Sequence, residues 1–276
     1  MKSRIITGLA AGSIFLLLCV TGGVVWIAAV QILAFMCAYE WFTAYRKHVD
    51  LPGWATVANS IVLLAGSCYP SILAFAERTE RNPQLLDAAL AAAPLVLCLV
   101  LLIRAAFGGS ALGGLRSRWG AVGALYIGLP FTSLILLRNV GIAGEGLRYL
   151  LIVVFSIWAA DTGAYFAGRA LGRTPLAKRL SPAKTVEGAL GGLAAAVLIG
   201  AATGAALVHR PGVGVFLGVL AGLLGPAGDL WESALKRELG IKDFGNILPG
   251  HGGVLDRLDS LIATAPFALL VLLLHR

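Results

Sequence analysis

The sequence predicts an all-α fold: a polytopic integral membrane bundle of about nine transmembrane helices, each needing about 20 apolar residues. Three observations predict it. Only 13% of the 276 residues are charged, where a soluble domain carries about a quarter. Mean hydropathy is +0.86. Apolar runs of bilayer length recur along the chain, and no loop between them is long enough to fold alone. Residues 1–276 therefore form a single membrane domain, with apolar N-terminal helices over 1–137 and the chemistry-bearing helices and loops over 148–275.

The expected spans are roughly 5–20, 23–44, 54–76, 86–106, 119–137, 148–168, 187–209, 213–236 and 256–275. Lys2 and Arg4 before an apolar run resemble a signal peptide. A second apolar run follows at once after Thr21-Gly22-Gly23, which favours a retained first helix. Cys19, Cys37, Cys68 and Cys98 lie inside apolar stretches without CxxC spacing or a neighbouring His, so they read as buried small hydrophobes.

Nine spans put sixteen of the 22 Lys and Arg on the side of the N-terminus. The positive-inside rule makes that side cytoplasmic. Without the two loops after spans 6 and 8 the margin falls to seven against six, so those loops carry the orientation. The net charge of +8 is distributed as topology and anionic-ligand charge, which argues against nucleic acid and for lipid or nucleotide.

Ionisable groups at a membrane are costly and mark function. Span 6 ends in Trp158-Ala159-Ala160-Asp161-Thr162-Gly163-Ala164-Tyr165-Phe166-Ala167-Gly168-Arg169. Helical spacing puts Asp161, Tyr165, Gly168 and Arg169 near one face, with Asp161 either paired to another helix or lining a wet site. The next loop carries Arg173, Lys178, Arg179 and Lys184, bases suited to phosphate. Ser181 and Glu187 there also suit a helix start. The run Gly188-Ala189-Leu190-Gly191-Gly192 reads as close helix packing in lipid.

In span 8, Asp229, Glu232, Ser233 and Lys236 recur at helical spacing and form a polar stripe on an apolar helix. Beyond Arg237, Lys242 and Asp243, Leu248-Pro249-Gly250-His251-Gly252-Gly253 allows a tight turn in which backbone N–H groups can meet an anion. A helix starting near Leu255 puts Asp256 and Asp259 one turn apart, with Arg257 between. Asp229 and Asp256, from facing helices, suit a hard cation such as Mg²⁺. His251 is either a structural turn residue or a substrate-binding acid or base.

The segment Ser233 to Asp259 resembles the signature of the phosphatidate cytidylyltransferases. The matched positions are Ser233, Leu235, Lys236, Arg237, Lys242, Asp243, Gly245, Leu248, Pro249, His251, Gly252, Gly253, Asp256, Arg257 and Asp259. The stretches Asp161–Phe166 and Ser181–Gly188 are similar to the family too. The likeness covers the C-terminal half.

The resemblance implies an enzyme of the cytoplasmic (inner) membrane, its active site facing the cytoplasm. It makes CDP-diacylglycerol and pyrophosphate from CTP and phosphatidic acid. It also implies Mg²⁺ on Asp229 and Asp256, leaving room for a monovalent cation such as K⁺ and for a homodimer. The residue chemistry agrees with a transfer that needs charge neutralisation rather than a protein nucleophile. The expected catalytic set is Asp229, Asp256, Lys236, Arg257, Asp259 and His251. The expected substrate-binding set is Asp161, Lys184, Arg237, Lys242, Asp243, Gly252 and Gly253. A transporter, or a CTP-dependent lipid kinase, are the rival readings; the first consumes no CTP and the second releases CDP.

Overall fold

The computed structural model describes residues 2–50, the single positions Gly53, Ser60, Ile61, Leu63 and Cys68, and residues 119–139, 144–248 and 252–274. Its helices are α1 (Lys2–Thr21), α2 (Gly23–His48), α3 (Trp119–Asn139), α4 (Glu145–Leu171), α5 (Val186–Val208), α6 (Pro211–Glu238) and α7 (Leu255–Leu274). Between α4 and α5 lie two short strands, β1 (Pro175–Ala177) and β2 (Ser181–Thr185), paired antiparallel. The all-α expectation thus holds except for this hairpin, and the protein is an integral membrane protein.

The expectation of nine spans is corrected. Among the described residues six helices, α2 to α7, are long and apolar enough to cross a bilayer. The span expected over 5–20 falls on α1, within which Ala10–Thr21 forms a shorter apolar stretch. The spans expected over 54–76 and 86–106 lie outside the described residues, apart from four single positions.

The chain divides into two compact units. The first comprises Met1–Leu136, Leu239–Arg257 and Leu269–Arg276. In it α2 buries Trp26, Val30, Ala34, Cys37, Trp41, Ala44 and Tyr45. That spacing of three and four residues makes one helix face. Trp41 stacks on Tyr45 with ring centroids 4.8 Å apart and on Phe244 at 5.5 Å. Its indole N–H donates to the Trp119 carbonyl at 3.0 Å, which satisfies the one polar group that a buried Trp carries into the core.

The second unit comprises Leu137–Glu238 and Leu258–Ala268. Here α5 packs along α4 and α6. Its buried residues are Gly188, Gly192, Ala196, Gly200 and Gly204, one small residue every fourth position. Lipid supplies no hydrophobic drive for helices to associate, so close backbone packing carries the contact. A Cβ on Gly200 would strike the Gly214 carbonyl of α6, and one on Gly214 would strike that of Gly200. On the α4 side, a Cβ on Gly192 would lie 2.7 Å from the Ala160 carbonyl. The glycines of the Gly188–Gly192 run therefore pack helices, as their spacing predicts.

Candidate active site

The hairpin that carries Lys184 is pinned at its base. The Val186 N–H donates to the Thr174 carbonyl at 2.9 Å. The Glu187 carboxylate accepts the N–H groups of Arg173 and Thr174 at 3.0 and 3.1 Å. Helix α5 starts where the strand ends, because the Thr185 hydroxyl oxygen accepts the Gly188 N–H at 3.1 Å. The helix-start expectation at Ser181 is thereby corrected: Ser181 is spent in β2, and Thr185 is the cap. These contacts hold Lys184 at the end of a short rigid strand.

Lys184 Nζ is ion-paired with Asp229 Oδ2 on α6. The Ser233 hydroxyl, one turn along, donates to Asp229 Oδ1 at 3.4 Å. Helix α7 approaches at the same level. A Cβ on Gly228 would lie 2.8 Å from the Asp259 carbonyl. Ser260 Oγ donates to the Gly225 carbonyl at 3.4 Å. The glycine immediately before Asp229 is what lets α6 and α7 come this close. Asp259 consequently feels the charges of Asp229, Asp161 and Lys184. Three carboxylates and one ammonium of the second unit thus act on one another, drawn from α4, α6, α7 and β2.

The rest of the α6 stripe turns inward. Glu232 is fully buried and Ser233 nearly so. Lys236 Nζ donates to Glu232 Oε1 at 2.9 Å. Arg237, at the end of α6, is exposed. Asp161 is exposed on α4, and on the same face Arg169 Nη1 donates to the Tyr165 hydroxyl at 3.1 Å.

The first unit contains a second polar centre. Asp256 is buried, and its Oδ2 accepts the N–H groups of Phe244 at 3.0 Å and Gly253 at 2.9 Å. Glu40, buried on α2, accepts the N–H groups of Val254 at 3.0 Å and Leu255 at 2.9 Å. The glycine turn does present N–H groups to anions, but the anions at Gly253, Val254 and Leu255 are the chain's own carboxylates. Gly252 takes φ +85°, a conformation glycine adopts without strain. Lys242, Asp243 and Arg257 are exposed. His251 lies outside the described residues.

Asp229 and Asp256, expected to clamp a metal together, belong to different units. Among the described residues no group of three His, Cys, Asp or Glu side chains gathers tightly enough to hold a metal alone. Magnesium needs only one or two carboxylates when substrate phosphates and waters complete its octahedron. Asp229 and Asp259 carry hard oxygens of this kind and repel one another.

Glu40 is the polar residue that the motifs did not disclose. It is a single acid inside an apolar span, the same signal that marks Asp161.

The chain matches the Cytidylyltransferase family over residues 2–275. It is 36% identical over 279 residues to the phosphatidate cytidylyltransferase of Bacillus subtilis (strain 168), covering 99% of this chain and 98% of that protein. It is 36% identical over 270 residues to that of Brucella suis biovar 1 (strain 1330), covering 96% and 90%. It is 31% identical over 277 residues to that of Staphylococcus aureus (strain COL), covering 99% of both. Full-length similarity of this kind, on a helical membrane chain with its acids and bases gathered on a few elements, shows that the protein is a nucleotidyltransferase belonging to the phosphatidate cytidylyltransferase family.

Proposed function

We propose that this protein transfers a cytidylyl group from CTP to phosphatidic acid, giving CDP-diacylglycerol and pyrophosphate. The observation that carries this reading is the cluster of Lys184, Asp229 and Asp259, an ammonium set among carboxylates where three elements meet. Acids alone would repel both anionic substrates, and bases alone would leave a divalent cation no ligand.

A phosphatidate oxygen attacks the α-phosphorus of CTP. A new P–O bond forms, the bond from the α-phosphorus to the β-phosphate oxygen breaks, and pyrophosphate leaves with that electron pair. No residue need form a covalent intermediate, so positioning and charge neutralisation carry the rate. Asp229 and Asp259 would hold Mg²⁺, which when bound supplies charge neutralisation at the phosphates. Asp256, in the first unit, accepts the Phe244 N–H through both oxygens, at 3.0 and 3.4 Å, and the Gly253 N–H through Oδ2 at 2.9 Å. Lys184 orients Asp229 and faces the phosphates. Lys242 and Arg257 of the first unit, both exposed, engage the triphosphate; Arg237 of the second unit is exposed, and Lys236 there donates to Glu232.

The charge bias of the sequence supports a site facing the cytoplasm, where CTP is found, while the acyl chains remain in lipid. A pyrophosphate-release assay on purified protein with CTP, phosphatidic acid and Mg²⁺ tests the reading. Release that requires all three supports it. Uptake of a solute into vesicles with CTP left intact would replace it with transport.

A further inference from the structure

Glu40 sits on α2, only 2% exposed, between Tyr39 and Trp41 of an apolar helix. A buried carboxylate in such a place is expensive and persists only when hydrogen bonds hold it. Glu40 has them. One oxygen accepts the Val254 N–H and the other the Leu255 N–H, across more than two hundred residues of sequence. These are donors at the start of α7 with no partner inside the helix. The surroundings are shaped around the carboxylate. A Cβ on Gly253 would lie 2.7 Å from Glu40 Oε2, and one on Gly245 would strike Oε1. The Val254 carbonyl in turn accepts the Arg257 N–H at 3.1 Å. A chain of contacts therefore runs from Glu40 through Val254 to Arg257, and beside it Asp256 ties Gly253 to Phe244.

We propose that Glu40 is a positioning residue for the nucleotide: it clamps the turn before α7 so that the exposed Arg257 guanidinium is presented to the triphosphate. The proposal rests on the reading above that Arg257 engages CTP. It adds a residue from the N-terminal half, far from every motif, to the binding machinery. Only a two-oxygen acceptor serves. In Glu40→Gln an amide NH₂ replaces one oxygen and faces a backbone N–H, donor against donor. Glu40→Asp keeps the acid but shortens it by one methylene.

The test uses purified full-length protein in detergent, with labelled CTP, phosphatidic acid and Mg²⁺, and the melting temperature of every variant recorded. Glu40→Gln is expected to raise KM for CTP about tenfold in protein that still melts cooperatively, with Glu40→Asp recovering part of the loss. Gly245→Ala, which pushes on the same carboxylate from the other side, is expected to raise KM for CTP in the same direction. Wild-type KM for CTP in Glu40→Gln and Gly245→Ala overturns the proposal. So does a loss of activity that matches the loss of folded protein, since that is a purely structural role. Failure of the parent reading is distinguishable: the wild-type protein itself would then make no liponucleotide.

Discussion

Lys184 on β2 is ion-paired with Asp229 on α6, across 45 residues of sequence. Asp229 thereby has one oxygen committed to an ammonium and the other to the Ser233 hydroxyl. Both side chains are only partly buried, so the pair contributes little to folding and its value lies in orienting the acid. Lys184→Met is expected to lower kcat/KM by about a hundredfold while the melting temperature stays near wild type. Combining it with Asp229→Asn is expected to cost less than the two single losses together, because both remove one arrangement. Steady-state kinetics of the four proteins checks this.

The proposed Mg²⁺ on Asp229 and Asp259 predicts a metal-dependent reaction. Chelation is expected to abolish turnover and Mg²⁺ to restore it. Asp259→Asn is expected to raise the Mg²⁺ concentration giving half-maximal rate, measured by titration at saturating CTP. Asp256→Asn is expected to abolish turnover in folded protein. Normal turnover in that variant removes Asp256 from the machinery.

Gly200 and Gly214 set the approach of α5 and α6. Gly214→Leu forces the helices apart, and overpacking of this kind costs typically about 1–3 kcal/mol. A lower melting temperature in detergent is expected, with the Mg²⁺ requirement of the remaining folded enzyme unchanged.

Thr185 links the hairpin to α5. Thr185→Ala removes the cap, worth about 1 kcal/mol, and loosens the strand that carries Lys184. Reduced thermal stability with reduced activity is expected, and Thr185→Ser should restore both.

The sequence disclosed the site unevenly, for physical reasons. The α6 stripe was legible because polar residues at helical spacing contradict an apolar span; within it Ser233 donates to Asp229 and Lys236 to Glu232. The glycine run of α5 was legible through its four-residue period. The hairpin was not: strands of three and five residues are too short to show alternation, and Pro175 and Pro182 disguise them as a loop. Glu40 was legible in principle. The cost of a lone acid in lipid singles out Asp161 and applies equally to Glu40, but its partners are backbone N–H groups more than two hundred residues away, which no side-chain pattern records. The occupation of the glycine turn by Glu40 and Asp256 was hidden for the same reason.

The most direct test is the lipid product itself. Purified protein would be incubated with cytidine-labelled CTP, phosphatidic acid and Mg²⁺, and the lipids resolved by chromatography. A labelled liponucleotide that appears with pyrophosphate, and only when both substrates and the metal are present, is the expected result. Labelled CDP in the aqueous phase with a phosphorylated lipid, or CTP left intact by folded protein, would contradict it.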